Sequence, residues 1–354
     1  MVGSNKFDGE WAEAKLEDLC RKIVSGKTVR YFATGAFPVY GSTGILGYTD
    51  DPMYEGKAIL IARVGSVGTI NVVDGRYGVS DNALIVSSDR ADLMYIYYLI
   101  LNFNFKNLTI GSGQPLIAAK QLSEVIIPCP GVVEQTAIAA ALSDADALIS
   151  ALEALIAKKC AVWQGAMQEL LTGERRLPGF KEAWTEKRLG DFNIRKGRVI
   201  TQDGISPGKI PVVAGGKTAA YYHNRHNREA NTITISASGT NAGFVNFWPC
   251  KIFASDCSTI RESQEYSVKF VYYWLLNNQK TIYELQTGGA QPHVLPQDLA
   301  PIEILLPEPA EQAAIAEILS DMDAEIGALT AKLNKAGQLK LGMMPELLTG
   351  NIRL

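Results

Sequence analysis

EQTAIAAALSDADA at 134–147 returns as EQAAIAEILSDMDA at 311–324, with ten of fourteen positions identical. ELLTGERRL (169–177) returns as ELLTGNIRL (346–354), with seven of nine identical. Both pairs are offset by 177 residues, so no net insertion or deletion falls between them. A single added residue would turn a helical face by about 100°, so the register of this stretch is under strict control. The chain is one structural unit written twice.

The repeated stretch reads as helix, from about Glu134 to Leu171 and from about Glu311 to Met344. Leu142, Ala145, Ile149, Leu152, Ile156, Trp163, Ala166 and Leu170 follow a heptad seam, and Leu319, Met322, Ile326, Leu329, Leu333 and Ala336 fall at the equivalent places. Glu134 and Glu311 occupy the first turns, where the helix dipole favours an acid, and Gly173 and Gly350 punctuate the ends. Some 30 helical residues make a rod of about 45 Å, and two such rods packed antiparallel would act as a fixed spacer. Pro345 stands in the second copy where Gln168 stands in the first, which predicts a kink or stop near Met344.

Outward from the helices the copies diverge. WAEAKLED (11–18) matches WTEKRLGD (184–191) at an offset of 173, YIYYLILN (95–102) matches FVYYWLLN (270–277) at 175, and GSGQP (111–115) matches GGAQP (288–292) at 177. The drift is absorbed in polar, glycine-rich loops. KAILIARVG (57–65), NALIVSS (82–88), NTITISASG (231–239) and KIFASD (251–256) read as strands. The YYLILNF and YYWLLNN segments read as amphipathic helices, and EVIIPCP and PIEILLPEP as closing strands. The fold class is α+β: two mixed α/β domains joined by two long antiparallel α-helices in a coiled-coil spacer, with an internal pseudo-two-fold repeat. The boundaries fall at 1–133 for the first domain, 134–173 for the central helix, 174–310 for the second domain and 311–354 for the C-terminal helix.

No apolar run approaches the roughly 18–20 residues that span a bilayer, and the N-terminus lacks a secretory pattern, so a cytoplasmic protein with no membrane partner is expected. The five cysteines are scattered without a CxxC pair, which points to reduced thiols rather than a disulfide framework or a zinc site. A net charge of −3 and a pI near 5.8 argue against a free-standing nucleic-acid binder. The distribution weakens that objection, because residues 184–230 carry nine Lys or Arg against four acids. No Asn-Pro-Pro-Tyr or Asp-Pro-Pro-Tyr methyltransferase motif occurs. GGKT (215–218) resembles the tail of a phosphate loop, but Pro211 stands where that loop needs glycine. His223 and His226 have no third ligand nearby, so no metal and no other cofactor is expected.

The ordered set of a tryptophan-led start, variable domain, G-x-x-Q segment, strand ending in Pro-x-Pro, E-Q-x-x-I-A-x-x-L-S-D-x-D and L-L-T-G-x-x-R-L, given twice, resembles the specificity subunit of a type I restriction-modification system. The resemblance covers essentially the whole chain. It implies two target-recognition domains reading the halves of an asymmetric bipartite site on double-stranded DNA, with the helices setting the unread gap. It further implies two docked DNA adenine methyltransferase subunits, an added restriction and translocation subunit in the full nuclease, and no chemistry by this chain itself.

Base edges are read by Arg, Lys, Asn or Gln, while Ser, Thr and backbone amides mainly hold phosphates. The candidates in the first domain are Lys27, Arg30, Tyr40, Ser42, Thr43, Arg63, Ser66, Arg76 and Gln114. Those in the second are Arg198, Lys217, Tyr222, His223, Arg225, Arg228, Thr240, Asn241, Gln291 and His293. For any one of them an ordinary solvated side chain is the competing reading, and for the Gln114 and Gln291 segments it is a glycine-permitted tight turn. A second apolar helix face, Ile138, Leu148, Leu155 and Val162 with Ile315 and Ile318, is a candidate methyltransferase-docking surface. The alternative from a different class is a non-catalytic coiled-coil adaptor presenting two protein-binding domains.

Overall fold

The computed structural model describes residues 10–110 and 115–354. The chain divides into two compact units, the first made of residues 1–153 with 331–354 and the second of residues 154–330. Gln114 lies outside the described residues.

The first unit runs β1 (Ala12–Lys15), α1 (Leu16–Leu19), β2 (Lys22–Ser25), β3 (Phe37–Tyr40), β4 (Ile45–Thr49), β5 (Tyr54–Glu55), β6 (Ala58–Ala62), β7 (Ile70–Val73), β8 (Arg76–Val79), β9 (Ala83–Ser87), α2 (Leu93–Leu101), α3 (Ala119–Ser123), β10 (Ile126–Cys129) and, as far as residue 153, α4 (Val132–Thr172). One antiparallel sheet has the order β2-β9-β6-β7 and a second the order β4-β3-β8-β5, in which β3 and β8 are parallel. β1 pairs with β10. All five residues of β6 are buried, so its sequence AILIA is an unbroken apolar run rather than an alternation. Asp92 starts α2 by accepting from the N–H groups of Met94 and Tyr95 at 2.8 and 3.1 Å.

The second unit repeats this plan with β11 (Thr185–Arg188), β12 (Arg195–Lys196), β13 (Ile210–Val213), β14 (Tyr221–His223), β15 (Thr232–Ser236), β16 (Val245–Trp248), β17 (Phe253–Ala254), β18 (Cys257–Ile260), α5 (Val268–Asn277), α6 (Gln279–Glu284), α7 (Pro296–Leu299), β19 (Glu303–Leu306) and α8 (Pro309–Leu348). Its sheets are β12-β18-β15-β16 and β14-β13-β17, with β13 parallel to β17 and β11 paired with β19. Pro38 stands opposite Tyr48 in the first unit, as Pro211 stands opposite Tyr222 in the second. Phe37-Pro38-Val39 and Ile210-Pro211-Val212 are thus a further repeated piece, too short to notice in the sequence.

Each unit packs its sheets and short helices against parts of both long helices. Ile138 and Leu142 of α4 join Met344, Leu347 and Leu348 of α8 in the core of the first unit. Met167, Leu170 and Leu171 of α4 join Ile315 and Leu319 of α8 in the second. In the second unit Lys159 meets Glu325 at 2.7 Å while Trp163 Nε1 donates to the Leu319 carbonyl at 3.3 Å, so the segments run antiparallel. In the first, Asp146 meets Lys340 and Glu134 meets Arg353, the same sense.

The E-Q that opens the repeat is the clasp of each unit. Glu311, fully buried, accepts from Arg176 Nη2 at 2.7 Å and Trp184 Nε1 at 3.2 Å, with the guanidinium over the indole. Glu134 takes the same bonds from Arg353 Nη2 at 2.8 Å and Trp11 Nε1 at 3.1 Å. These glutamates are therefore buried anchors as well as dipole partners. Gln312 Oε1 accepts from the Ser267 N–H at 2.9 Å and its Nε2 donates to the Pro307 carbonyl at 2.8 Å. Gln135 does the same for Asp92 and Pro130.

The helix does not stop at Pro345, since α8 continues to Leu348 with the proline inside it. An interior proline costs about 3 kcal/mol. Met344, Leu347 and Leu348, at 7%, 3% and 1% exposure, each gain roughly 1.5–3 kcal/mol by burial, so tertiary packing wins. Gly350, at φ +76°, then ends the helix as Gly173, at φ +78°, ends α4.

Candidate nucleic-acid interface

In each unit four chain segments meet at the end of the sheets where β3 and β13 finish. The first is set by a glycine. A Cβ on Gly26 would lie 2.2 Å from the Ser80 carbonyl oxygen, and one on Gly197 2.0 Å from that of Ser255. Only glycine lets the strands approach this closely, and each is followed by an exposed cation, Lys27 and Arg198, whose N–H donates to Val79 or Ala254 at 3.0 Å.

The second segment follows β3 or β13. In the first unit Gly41 N–H closes on the Gly44 carbonyl at 2.8 Å and presents Ser42 and Thr43. In the second, Ser236 Oγ donates to the Gly215 carbonyl at 3.0 Å, and Lys217 Nζ lies 5.4 Å from the Phe244 ring centre. The third segment follows β6 or β15. Gly65 and Gly68 have φ of +76° and +87°, and Gly239 and Gly243 of +81° and +86°. These paired left-handed positions make the tight turns that carry Ser66 in one unit and Thr240 with Asn241 in the other.

The fourth segment is, in the second unit, the glycine-glutamine loop closed at its base by pairing of Thr287 with His293, and in the first unit the pairing of Ile110 with Leu116 that flanks residues 111–114. Leu116 also pairs with Val64, and His293 with Ser238, which ties this loop to the third segment. Gly239 N–H donates to the Pro292 carbonyl at 3.0 Å, beside the exposed Gln291. Arg63 belongs to the same rim. Its Nη1 donates to Ser25 Oγ at 2.8 Å while its buried Nε has no partner.

The folding thus gathers Lys27, Ser42, Thr43, Arg63 and Ser66 on one rim, with Tyr40 at its base, and Arg198, Lys217, Thr240, Asn241, Gln291 and His293 on the other. Arg76 stands at the opposite end of β3, stacked 4.6 Å over Phe37. Arg30 lies just before Phe32, which extends the outer edge of β4 by pairing with Tyr48. Tyr222 is 59% exposed on edge strand β14, with Arg225 beyond it.

Two second-unit candidates are corrected by their surroundings. His223 is 5% exposed, faces Phe253 edge-on at 5.4 Å, and accepts from the Ser206 N–H through Nδ1 at 3.0 Å. It pins the 206 loop and is not available to a ligand. Arg228 donates to Thr259 Oγ1, the Asn227 carbonyl and the Lys196 carbonyl at 2.8–3.0 Å. Desolvation lowers its pKa, and it serves as a brace. His226 pairs with Glu229 at 3.0 Å, and among the described residues no group of three or more His, Cys, Asp or Glu is placed to hold a metal. No helix among them is long and apolar enough to cross a membrane.

Of the helix-face candidates, Ile138 and Ile315 are fully buried in the two cores, which removes them from any docking surface. Leu148, Leu155, Val162 and Ile318 are 38–53% exposed. The sequence reading missed the exposed edge of the first unit, where Phe32, Ile45, Leu46 and Tyr48 are 37–59% exposed. Its signal was Gly47, an inward position where a Cβ would meet the Phe32 carbonyl at 2.5 Å.

A family model described as type I restriction modification DNA specificity domain matches residues 8–159 and again 181–336. The type I restriction enzyme MjaVIII specificity subunit of Methanocaldococcus jannaschii is 26% identical over 79% of this chain and 76% of its own length. The crystal structure of a type I restriction-modification S subunit from M. genitalium superposes with a TM-score of 0.77 over 98% of both chains, at 19% identity, a likeness of fold. A structure described in terms of complex assembly and conformational transition of the type I R-M system gives 0.51 at 15% identity, over 98% of this chain and 100% of that one.

Proposed function

This chain belongs to the family of type I restriction modification DNA specificity domains, and from that premise we propose that it reads an asymmetric bipartite site on double-stranded DNA, one half through each rim. The observation that carries the reading is that one backbone frame, with its glycines and bridges, is built twice while the side chains at its tips differ. Lys27, Ser42, Thr43, Arg63 and Ser66 would read one half-site, with Gln114 and the outlying Arg30, Tyr40 and Arg76 as further candidates. Arg198, Lys217, Thr240, Asn241, Gln291 and His293 would read the other, with Tyr222 and Arg225 on phosphates at the flank.

On this reading 1–133 and 174–310 are the recognition domains, and the helical stretches 134–173 and 311–354 form a coiled-coil spacer. At roughly 1.5 Å per residue, the 41 and 40 residues of α4 and α8 are each about 60 Å long, and an undisturbed heptad register would fix the unread gap. Leu148 in the first unit, and Leu155, Val162 and Ile318 in the second, supply exposed apolar side chains for two DNA adenine methyltransferase subunits, to which a restriction and translocation subunit adds. The chain itself then contributes recognition and no catalysis, needs no cofactor, and works in the cytoplasm. Partners that share the phosphate contacts reconcile DNA reading with a net charge of −3.

The test is methylation by the purified chain with the methyltransferase encoded beside it, followed by sequencing of modified adenines. A single split sequence with a constant gap is expected. Methylation without sequence preference refutes the reading, and DNA affinity insensitive to salt and to loss of Lys27 and Arg198 favours the adaptor alternative.

A further inference from the structure

Beside α2 and α4 of the first unit lies a groove of about 470 Å³ bordered by Tyr97, Tyr98, Ser143 and Asp146. The second unit has its counterpart between α5 and α8, about 280 Å³, bordered by Tyr272, Tyr273, Ser320 and Asp323. Both use a tyrosine pair on the domain helix and the serine and second acid of the S-D-x-D-A repeat. The first acid of that repeat, Asp144 or Asp321, is exposed outside the groove. The recognition loops diverge between the copies, whereas this groove keeps its chemistry. A site retained in two otherwise diverging units suits two copies of one partner.

The two grooves differ in one respect. In the first, Tyr98 Oη donates to Asp146 Oδ2 at 2.8 Å, and Lys340 Nζ stands 2.5 Å from Asp146 Oδ1 and 5.6 Å from the Tyr98 ring centre. One repeat earlier, the residue at the place of Lys340 is Trp163, which meets Tyr273 edge-on at 6.3 Å and brings no cation. Tyr273 Oη and Lys269 Nζ both turn to Ser320 Oγ, each at 3.2 Å. No hydrogen bond or ion pair reaches Asp323 among the described residues, and desolvation raises its pKa. The first unit therefore displays the ligand this constellation accepts: an ammonium between a carboxylate and a tyrosine ring.

We propose that the second groove is completed in trans, by a lysine or arginine side chain of a docked methyltransferase subunit that takes at Asp323 the place Lys340 takes at Asp146. This rests on the docking reading above and adds its contact. The two partner copies then dock unequally, because in the first unit Lys340 already pairs with the acid, Asp146.

The experiment titrates the full chain with the methyltransferase of its own system by calorimetry at several salt concentrations, without DNA. Asp323→Asn, an exposed and isosteric change, is expected to weaken the tighter of two binding steps about tenfold and to flatten its salt dependence, and Asp323→Glu to restore most of the loss. Unchanged affinity in Asp323→Asn overturns the contact while leaving the docking reading intact. So does a loss that Asp323→Glu does not restore. If the wild-type chain binds no methyltransferase, the docking reading falls and this site falls with it.

Discussion

Gln312→Met is expected to destabilise the second unit by about 3 kcal/mol and leave the first unit standing. The amide is 1% exposed and spans two backbone groups, the Ser267 N–H at the start of α5 and the Pro307 carbonyl at the exit of β19. Methionine fills a similar volume but leaves both without a partner. A stranded buried polar group costs about 1–3 kcal/mol, so two give roughly 2–6, and partial relaxation toward water sets the lower-middle value. In a unit of this size that corresponds to a fall in melting temperature of roughly 6–12 °C. Trp163, Trp184, Trp248 and Trp274 lie in the second unit and Trp11 in the first, so urea unfolding followed by tryptophan emission reports mainly the second. Gln135→Met, the counterpart, should shift the circular dichroism transition with little change in emission. A change below about 0.5 kcal/mol in Gln312→Met, or equal losses in both units, refutes the reasoning.

Gly197→Ala forces a Cβ to within 2.0 Å of the Ser255 carbonyl oxygen, and is expected to cost more than about 3 kcal/mol; a melting temperature within 2 °C of wild type contradicts that, where about 2 °C is the smallest shift a 1 kcal/mol change gives in a domain of this size. Lys27→Ala with Arg198→Ala should reduce the salt slope of DNA binding by about two ions at unchanged thermal stability, both measured on the methyltransferase complex. Arg225→Ala should weaken DNA binding only, whereas Arg228→Ala should lower the melting temperature, because three acceptors lose their donor. Burial pushes the Cys20 and Cys257 thiols up to about 12; a raised thiol pKa leaves the unreactive protonated form dominant at pH 8, so iodoacetamide and mass spectrometry should find the exposed Cys250 modified and those two untouched.

The helices were legible because repetition and period act over many residues at once. Ten identities in fourteen and a common offset of 177 fixed their register, and α4 and α8 begin and end within a few residues of the expected places. The rim was legible only in part. Lys27 and Arg198 attract notice as cations, yet their equivalence depends on Gly26 and Gly197, whose role is visible only against the carbonyls of Ser80 and Ser255. His223 and Arg228 lay in a basic, polar stretch that reads as surface, and burial assigned the first, and three hydrogen bonds the second, to the frame instead. Ile138 and Ile315 showed the opposite error, since a helix period gives an apolar face without saying which neighbour covers it.

The sequence by itself determined that there are two copies of one unit, that a strictly registered helix closes each, and which family the order of motifs resembles. Those features are local or periodic, so they survive without knowledge of contacts. Only the tertiary structure decided that α8 runs through Pro345, that Arg353 takes for Glu134 the part Arg176 takes for Glu311, and which polar side chains reach a common rim. Those outcomes turn on pairs separated by tens to hundreds of residues, where burial and hydrogen-bond geometry outweigh the local preference of either partner.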